Sequence, residues 1–304
     1  MQAKSVTAVI TTYARPFDLL EQSLLSVLRQ DYSPLEVVVV DDNGLSSPFA
    51  KDIAEGMKAY PNVRLIQHEE NRGAQVSRND AILFSTGELI AFLDDDDYWL
   101  EGKLSAQVEA FEEDVGMVFC QGYLCKIEEG KPEKRVPYNM SNCFLPNPTF
   151  ADMLYGDYIG TTTQAMISRR AFAMCGLFDP DQPARQDYQM WLRISKKLRC
   201  VGVEKYLFVH THHEKSGQIS KVPVKAITGF RRILREFADD FRKSPVALCH
   251  CHMMIAREYR RGNDRAGYMR HMIKAALVAP RILFHMDELK KRRGLHASRV
   301  SAGA

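Results

Sequence analysis

The stretch Leu89-Ile90-Ala91-Phe92-Leu93-Asp94-Asp95-Asp96-Asp97-Tyr98-Trp99 sets five apolar residues directly before four carboxylates and two aromatic rings. A run this short and this apolar reads as a buried strand. The strand delivers the acidic cluster to its carboxyl end, where open α/β sheets bind their ligands. Four adjacent like charges repel one another unless something positive neutralises them, and a hard divalent cation with oxygen ligands is the usual partner. A solvated acidic turn is the plainer reading, but it sits poorly between an apolar strand and Trp99.

Three similar β-branched runs precede this one at intervals of about 26 to 30 residues: 6–11, 35–40 and 63–67. Amphipathic helices fill the gaps. The first opens with Pro16 at N1 and sets Phe17, Leu20, Leu24, Val27 and Leu28 on one stripe. Pro61-Asn62, Asn71-Arg72-Gly73 and Gly87 punctuate the units. The spacing predicts right-handed βαβ units, hence an α/β fold with a doubly wound, mainly parallel sheet. After Trp99 the pattern predicts a helix over 100–113, a strand over 115–126 and a polar, Pro-containing loop over 128–148. A strand over 158–168, a helix over 186–197 and a strand over 199–209 follow. From residue 222 on the reading is helical, with segments at 224–242, 245–261, 264–278 and 280–291, the middle pair forming one antiparallel hairpin. The expected division is a domain over 1–220 and a basic helical appendage over 221–304.

Composition is that of a globular protein: 304 residues, 45% hydrophobic and 26% charged. No stretch reaches the ~20 uninterrupted apolar residues of a membrane span, and the first residues lack a signal-peptide pattern, so a cytoplasmic location is expected. Seven cysteines without a CxxC pair fit reduced thiols, and Cys249-His250-Cys251-His252 is too tightly spaced for tetrahedral zinc and reads as helix interior. Residues 221–304 carry 19 Lys and Arg against 7 Asp and Glu, a net of +12, which leaves −9 for the other 220.

Three further stations fall at strand ends on the edge that carries the acidic cluster. Thr11-Thr12-Tyr13 ends the first strand, Asp41-Asp42-Asn43 ends the second, and Asn71-Arg72-Gly73 with Arg78-Asn79 opens the helix after the third. Such a set suits a nucleotide: carboxylates and amides accept from base and ribose, an aromatic ring stacks, and a metal takes the diphosphate. The chain has neither GxGxxG after the first strand nor GxxxxGK[ST], which excludes a dinucleotide fingerprint and a P-loop.

Together the segments "VTAVITTYARP", "LEVVVVDDNG", "NRGAQVSRNDAI", "TGELIAFLDDDDYW" and "RQDYQMWLRI" resemble, in order and spacing, the family 2 glycosyltransferases of the GT-A fold, over about residues 5–220. The resemblance implies an inverting, metal-dependent transfer of a sugar from a nucleoside diphosphate sugar, with a UDP-sugar favoured and Mn²⁺ or Mg²⁺ as cofactor. It places Thr11, Tyr13, Asp42 and Arg78 around the nucleotide and Asp94 and Asp95 on the donor. Asp96 becomes the metal ligand of a DxD element, with His213 at the position where some relatives complete the metal site or cover the diphosphate. Asp187 matches the second carboxylate of the family's late acidic pair, the catalytic base; the first is Gln186 here. Trp191, four residues on, would wall the acceptor site. No Gln-x-x-Arg-Trp signature follows, so a single addition is expected rather than chain synthesis.

The chemistry asks for little else. A general-base carboxylate takes the acceptor proton, a cation steadies the leaving diphosphate, and attack from behind inverts the anomeric centre. The implied setting is bacterial-type surface polysaccharide or lipid-linked glycan assembly. A sugar nucleotidyltransferase needs a Gly-rich basic loop after the first strand, which Tyr13-Ala14-Arg15-Pro16 does not supply. A noncatalytic sugar- or nucleotide-binding protein on the same scaffold has no need of both Asp96 and Asp187. The basic appendage, with Arg231-Arg232, Arg260-Arg261 and Lys290-Lys291-Arg292-Arg293 interleaved with apolar residues, fits an anionic membrane surface or a solvated helical core, and not nucleic acid.

Overall fold

The computed structural model describes residues 3–127, 133–138, 144–213 and 222–280. Strand β1 (Val6–Thr12), helix α1 (Phe17–Leu28), β2 (Leu35–Asp41), α2 (Pro48–Gly56), β3 (Arg64–Gln67), α3 (Ala74–Phe84) and β4 (Leu89–Asp94) form the first half of the chain. Then come β5 (Tyr98–Trp99), α4 (Lys103–Glu109), β6 (Val115–Ile127), β7 (Lys134–Tyr138), α5 (Phe150–Tyr155), β8 (Ala165–Ser168), α6 (Arg169–Cys175), α7 (Gln186–Ser195) and β9 (Arg199–His213). Helices α8 (Pro223–Glu236), α9 (Ala238–Lys243), α10 (Pro245–Arg261) and α11 (Arg265–Val278) follow.

These elements gather into two compact units. The first, Met1–Tyr138, Thr161–Pro180 and Lys197–Lys215, holds the whole sheet; the second is Asn139–Gly160, Asp181–Lys196 and Ser216–Ala304.

In the first unit the strand order is β3-β2-β1-β4-β8-β6-β9-β5, with β7 added on β6. Strands β3, β2, β1 and β4 are parallel, β8 runs antiparallel beside β4, and β6 and β9 run parallel to each other. The chain moves outward from β1 to β2 and β3, then returns to place β4 on β1's other side. That reversal opens a crevice beyond the carboxyl ends of β1 and β4. Register fixes what lines it: Thr11 pairs with Val40 on one side and Asp94 on the other, and Thr12 pairs with Asp41.

Both faces of the parallel strands are covered, which is why their sequences are continuously apolar. Val6, Ala8, Ile10, Val37, Val39, Leu89, Ala91 and Leu93 share a core cluster with Phe17, Leu20, Leu24 and Val27 of α1 and Ile53 of α2. On Phe92 the rings of Phe172 and Phe178 stand edge-on at 6.3 and 5.7 Å. Leu28, expected on the α1 stripe, is 42% exposed: the helix ends there and only its earlier turns face the sheet.

Several boundaries differ from expectation. Residues 134–138 of the predicted loop pair with 122–126 of β6 as strand β7. Their side chains are largely exposed and include Pro137, so no apolar alternation marks them. The helix expected over 100–113 is confined to α4, because Gly102 adopts φ 74° at its start. The strand expected over 158–168 is a 3-10 turn, Thr162–Gln164, before β8. The helix expected over 224–242 breaks at Phe237 into α8 and α9. The segment expected over 280–291 lies, but for its first residue, outside the described residues.

The second unit is helical. Helix α10 packs on α5, α8, α9 and α11, and Cys249 and Cys251 are buried in it as sequence suggested. Trp191 of α7 is fully buried, its Nε1 donating to the Gly160 carbonyl at 3.0 Å. It is a core residue, which overturns the expected acceptor-site wall.

Gly87, before β4, has no room for a side chain: a Cβ there would lie 2.5 Å from both the Thr7 backbone nitrogen and its hydroxyl. Strand β1 is paired on both sides and has nowhere to yield. Gly87→Ala should destabilise the fold by about 1–3 kcal/mol, read as a lowered midpoint in denaturant. An unchanged midpoint would mean that β1 and the turn before β4 are less constrained than their pairing implies.

Candidate active site

Strand β4 ends at Asp94, and a tight turn closed by the Asp97 N–H donating to the Asp94 carbonyl (3.1 Å) sends the four carboxylates apart. Asp94 accepts from Arg78 at 2.8 Å and faces the hydroxyls of Thr161 and Thr162 at 3.5 and 3.4 Å. Asp95 lies 3.5 Å from the Arg15 guanidinium and accepts from the Tyr13 backbone N–H at 3.4 Å. Asp96 pairs with Arg15 at 2.5 Å. Asp97 is fully buried and accepts from Thr163 (2.7 Å), the His210 ring (3.0 Å) and the Thr211 N–H (2.9 Å), tying the turn to β9. Ser23 of α1 donates to the carbonyls of Asp95 and Asp97, so the helix after β1 holds the turn after β4.

The cluster is neutralised from within the chain, by Arg15, Arg78 and His210, and incompletely. Burial would lower the His210 pKa; the Asp97 carboxylate and its hydrogen bond outweigh that and push it up to about 9, so the ring is cationic at neutral pH. Three cations thus face four carboxylates. Burial, reinforced by the charges of Asp97 and Asp94 and opposed by Arg15, pushes Asp96 up to about 7. Burial also pushes Asp95 up to about 6 against the charge of Arg15. Among the described residues no group of three or more His, Cys, Asp or Glu is placed to hold a metal ion. The donor set fits a different kind of ion: Mg²⁺-like cations are held by one or two carboxylates with the substrate's phosphates and water supplying the rest. His213 closes β9, and its side chain lies outside the described residues.

The residues expected around a nucleotide converge on the same edge. Thr11 is the partner of Asp94 in the sheet. Ala14 takes a left-handed conformation, φ 54°, at a cost of roughly 1–2 kcal/mol. Asn43 accepts from the Ala14 N–H at 2.6 Å and holds it there. The turn it makes leaves the Tyr13 side chain 55% exposed, free to meet a planar ligand, and returns Arg15 to the acidic cluster. Asp41, fully buried, accepts from Asn43 and Gln67. Asp42 accepts from the N–H groups of Arg72 (2.7 Å) and Gly73 (2.8 Å) and bonds His68 at 2.7 Å, so it shapes the loop before α3. Arg78, on α3, belongs to the carboxylate cluster through Asp94.

In the second unit Asp187 lies in the first turn of α7, its carboxylate accepting from the Tyr188 N–H at 2.8 Å. Arg185 before it is left-handed, φ 62°. Asp157 accepts from the N–H groups of Ile159 (3.0 Å) and Gly160 (2.9 Å). Burial and then the charge of Asp187 push Asp157 up to about 7, against those bonds and Arg185. A cavity of about 150 Å³ in this unit is lined by Tyr155, Asp157, Arg185, Tyr188, Phe230 and His250 among others. Its mix of aromatic rings with a few polar groups suits a small polar ligand.

Sequence reasoning missed Arg15, His210 and Asp157 as members of these clusters. Arg15 sits inside the segment VTAVITTYARP and His210 three residues before His213, so a search for counter-charges to the four aspartates had both within view. No local signal marks Asp157.

Residues 7–175 match the family model described as glycosyl transferase family 2, and the chain belongs to that family: it is a glycosyltransferase. It is 32% identical over 198 residues, 64% of this chain and 73% of the relative, to the putative teichuronic acid biosynthesis glycosyltransferase TuaG of Bacillus subtilis. It is 27% identical over 227 residues, 73% of this chain and 78% of the relative, to the putative colanic acid biosynthesis glycosyl transferase WcaA of Escherichia coli. Its fold matches S. aureus TarS 1-349, solved in complex with UDP-GlcNAc, at TM-score 0.60 and 18% identity over 88% of this chain and 90% of that one. The mannosyltransferase PcManGT of Pyrobaculum calidifontis, solved with GDP-Man and Mn2+, matches at TM-score 0.60 and 18% identity over 96% and 84%. The fold is that of the GT-A glycosyltransferases.

Asp42→Ala tests the structural share of the nucleotide edge. It orphans two backbone N–H groups and His68 and should cost about 2–4 kcal/mol of stability, measured by denaturant unfolding without ligand. A stability equal to wild type would confine Asp42 to ligand contact.

Proposed function

We propose that the protein transfers a single sugar, with inversion, from a nucleoside diphosphate sugar to an acceptor hydroxyl in the assembly of a surface polysaccharide or lipid-linked glycan. A UDP-sugar is the favoured donor, and the reaction takes place at the cytoplasmic face of the cell membrane. The observation that carries the reading is the acidic turn at the β1/β4 switch point: four carboxylates facing three cations leave room for one more positive charge where a sheet of this topology binds its ligand. The teichuronic and colanic acid names of the relatives support the surface-glycan setting.

Tyr13 offers its exposed ring to the base, with Thr11 at the strand end beside it, while Asp42 and Arg78 set the loop and helix that frame the nucleotide. Asp94 and Asp95 orient the donor's ribose and sugar. A divalent cation, Mn²⁺ or Mg²⁺, assigned to Asp96 and His213, would supply Lewis-acid neutralisation of the leaving diphosphate. Asp187 takes the proton of the acceptor hydroxyl as its oxygen bonds the anomeric carbon. The bond from that carbon to the phosphate oxygen breaks, and the nucleoside diphosphate leaves with the electron pair. Asp157 stands with Asp187 in the same unit, and the charge of Asp187 bears on its ionisation.

A donor panel with released nucleoside diphosphate as readout tests the reading; no release from any nucleotide sugar with glycan acceptors would contradict it. Asp187→Asn should keep donor affinity and lower turnover by about 10²-fold or more, since an amide cannot accept the proton; turnover within a few-fold of wild type would remove Asp187 from the role. Below pH 7 Asp157 keeps its proton; above it Asp157 is charged and would draw the acceptor proton toward the pair. Wild-type kcat should therefore rise through about pH 7, and Asp157→Asn, neutral throughout, should lose that inflection. A variant that retains it would uncouple Asp157 from catalysis.

A further inference from the structure

Helix α11 is built inside out for a helix facing only water. Its buried side carries Gly267, His271 and Ala275, one turn apart, packed toward α10. Gly267 sits so close to the Tyr259 ring that a Cβ would come within 2.2 Å of it. The large apolar residues point the other way: Met269 is 60% exposed, Ile273 56% and Leu277 78%. Spaced i, i+4, i+8, they form a line of about 12 Å on the helix surface. At 3.6 residues per turn Arg265 flanks this line on one side and Arg270 and Lys274 on the other. All three cations are exposed, and among the described residues none has a carboxylate partner. Residues 265–278 contain no Asp or Glu. The positive field is felt inside: burial, then His252 and the cations Lys274, Arg231 and Arg270, hold the His271 pKa down to about 4.

We propose that the outer face of α11 lies on an anionic lipid surface, with Met269, Ile273 and Leu277 entering the acyl boundary and Arg265, Arg270 and Lys274 meeting the headgroup phosphates. Charge selects this occupant. The chain's own segment 281–304 carries six Lys and Arg against two Asp and Glu, so it repels the flanks of the stripe. A second copy docked by the same face would set cation against cation. A line of apolar side chains between basic flanks matches a fluid interface that needs no shape complementarity. No described helix is long and apolar enough to cross a membrane. The inference rests on the proposed transfer to a membrane-presented acceptor, and it assigns the partner surface for that reaction.

The test uses the full chain and vesicles of phosphatidylcholine with or without phosphatidylglycerol, sedimented at low and high salt. Wild type should bind the phosphatidylglycerol vesicles at low salt, release them at high salt and leave the neutral vesicles in either condition. The triple variant Met269→Ser, Ile273→Ser, Leu277→Ser and the double variant Arg270→Glu, Lys274→Glu should each bind about tenfold or more weakly. All five residues are exposed, and a thermal melt matching wild type confirms folding. Both variants should keep wild-type transfer to a water-soluble acceptor without vesicles. Wild type ignoring anionic vesicles, or both variants binding as wild type does, would overturn the proposal. So would a protein dimer, formed without lipid, that the triple variant dissolves, since it would give the stripe to a second copy. Vesicle binding is read without turnover, so failure of the transferase reading shows separately, as absent nucleoside diphosphate release by wild type.

Discussion

The repulsion among four consecutive carboxylates at the end of β4 is the constraint on which the active half of this molecule depends. Left in a low-dielectric crevice, four such charges would protonate or unfold the turn. The chain answers with cations brought from three elements: Arg15 from the loop after β1, Arg78 from α3 and His210 from β9. Each does structural service as well. Arg15 can reach only because Ala14 accepts a left-handed backbone, pinned by Asn43 from the loop after β2. Asp97, the one fully buried member, has become a strut that joins the turn to β9 and to Thr163. Neutralisation stops one charge short, and burial, with neighbouring carboxylate charge adding to it, pushes the carboxyls of Asp96 and Asp95 up to about 7 and about 6. The acidic turn therefore keeps an uncompensated negative charge beside the crevice.

Much of this was legible in the sequence, for physical reasons. Strands buried on both faces have to be continuously apolar, so β1, β2, β3 and β4 could be read to within a residue or so, and their spacing gave the order of βαβ units. The position of the acidic run at a strand's carboxyl end followed directly. The counter-charges did not follow, because Arg15 and His210 meet their aspartates across 81 and 113 residues and only the folded register decides such pairs. Strand β7 escaped because an exposed edge segment with a proline has no apolar period to detect. Trp191 was read on the correct helix but the wrong side: a four-residue spacing from Asp187 says that two side chains are neighbours, not which one faces solvent.

Two features of the helical unit extend the same logic. Asp157 has no motif around it, yet the charge of Asp187 bears on its ionisation, so this unit holds a second acid where Gln186 provides none. On α11 the usual arrangement of large apolar residues inward and small ones outward is reversed.

The central claim is that the acidic turn takes the donor diphosphate together with a cation. Calorimetric titration of a nucleoside diphosphate, with and without Mn²⁺, into wild type and Asp96→Ala tests it most directly. The account predicts that Mn²⁺ tightens binding to wild type and that Asp96→Ala abolishes this gain. The same Mn²⁺-dependent gain in both proteins would contradict it and place the cation elsewhere.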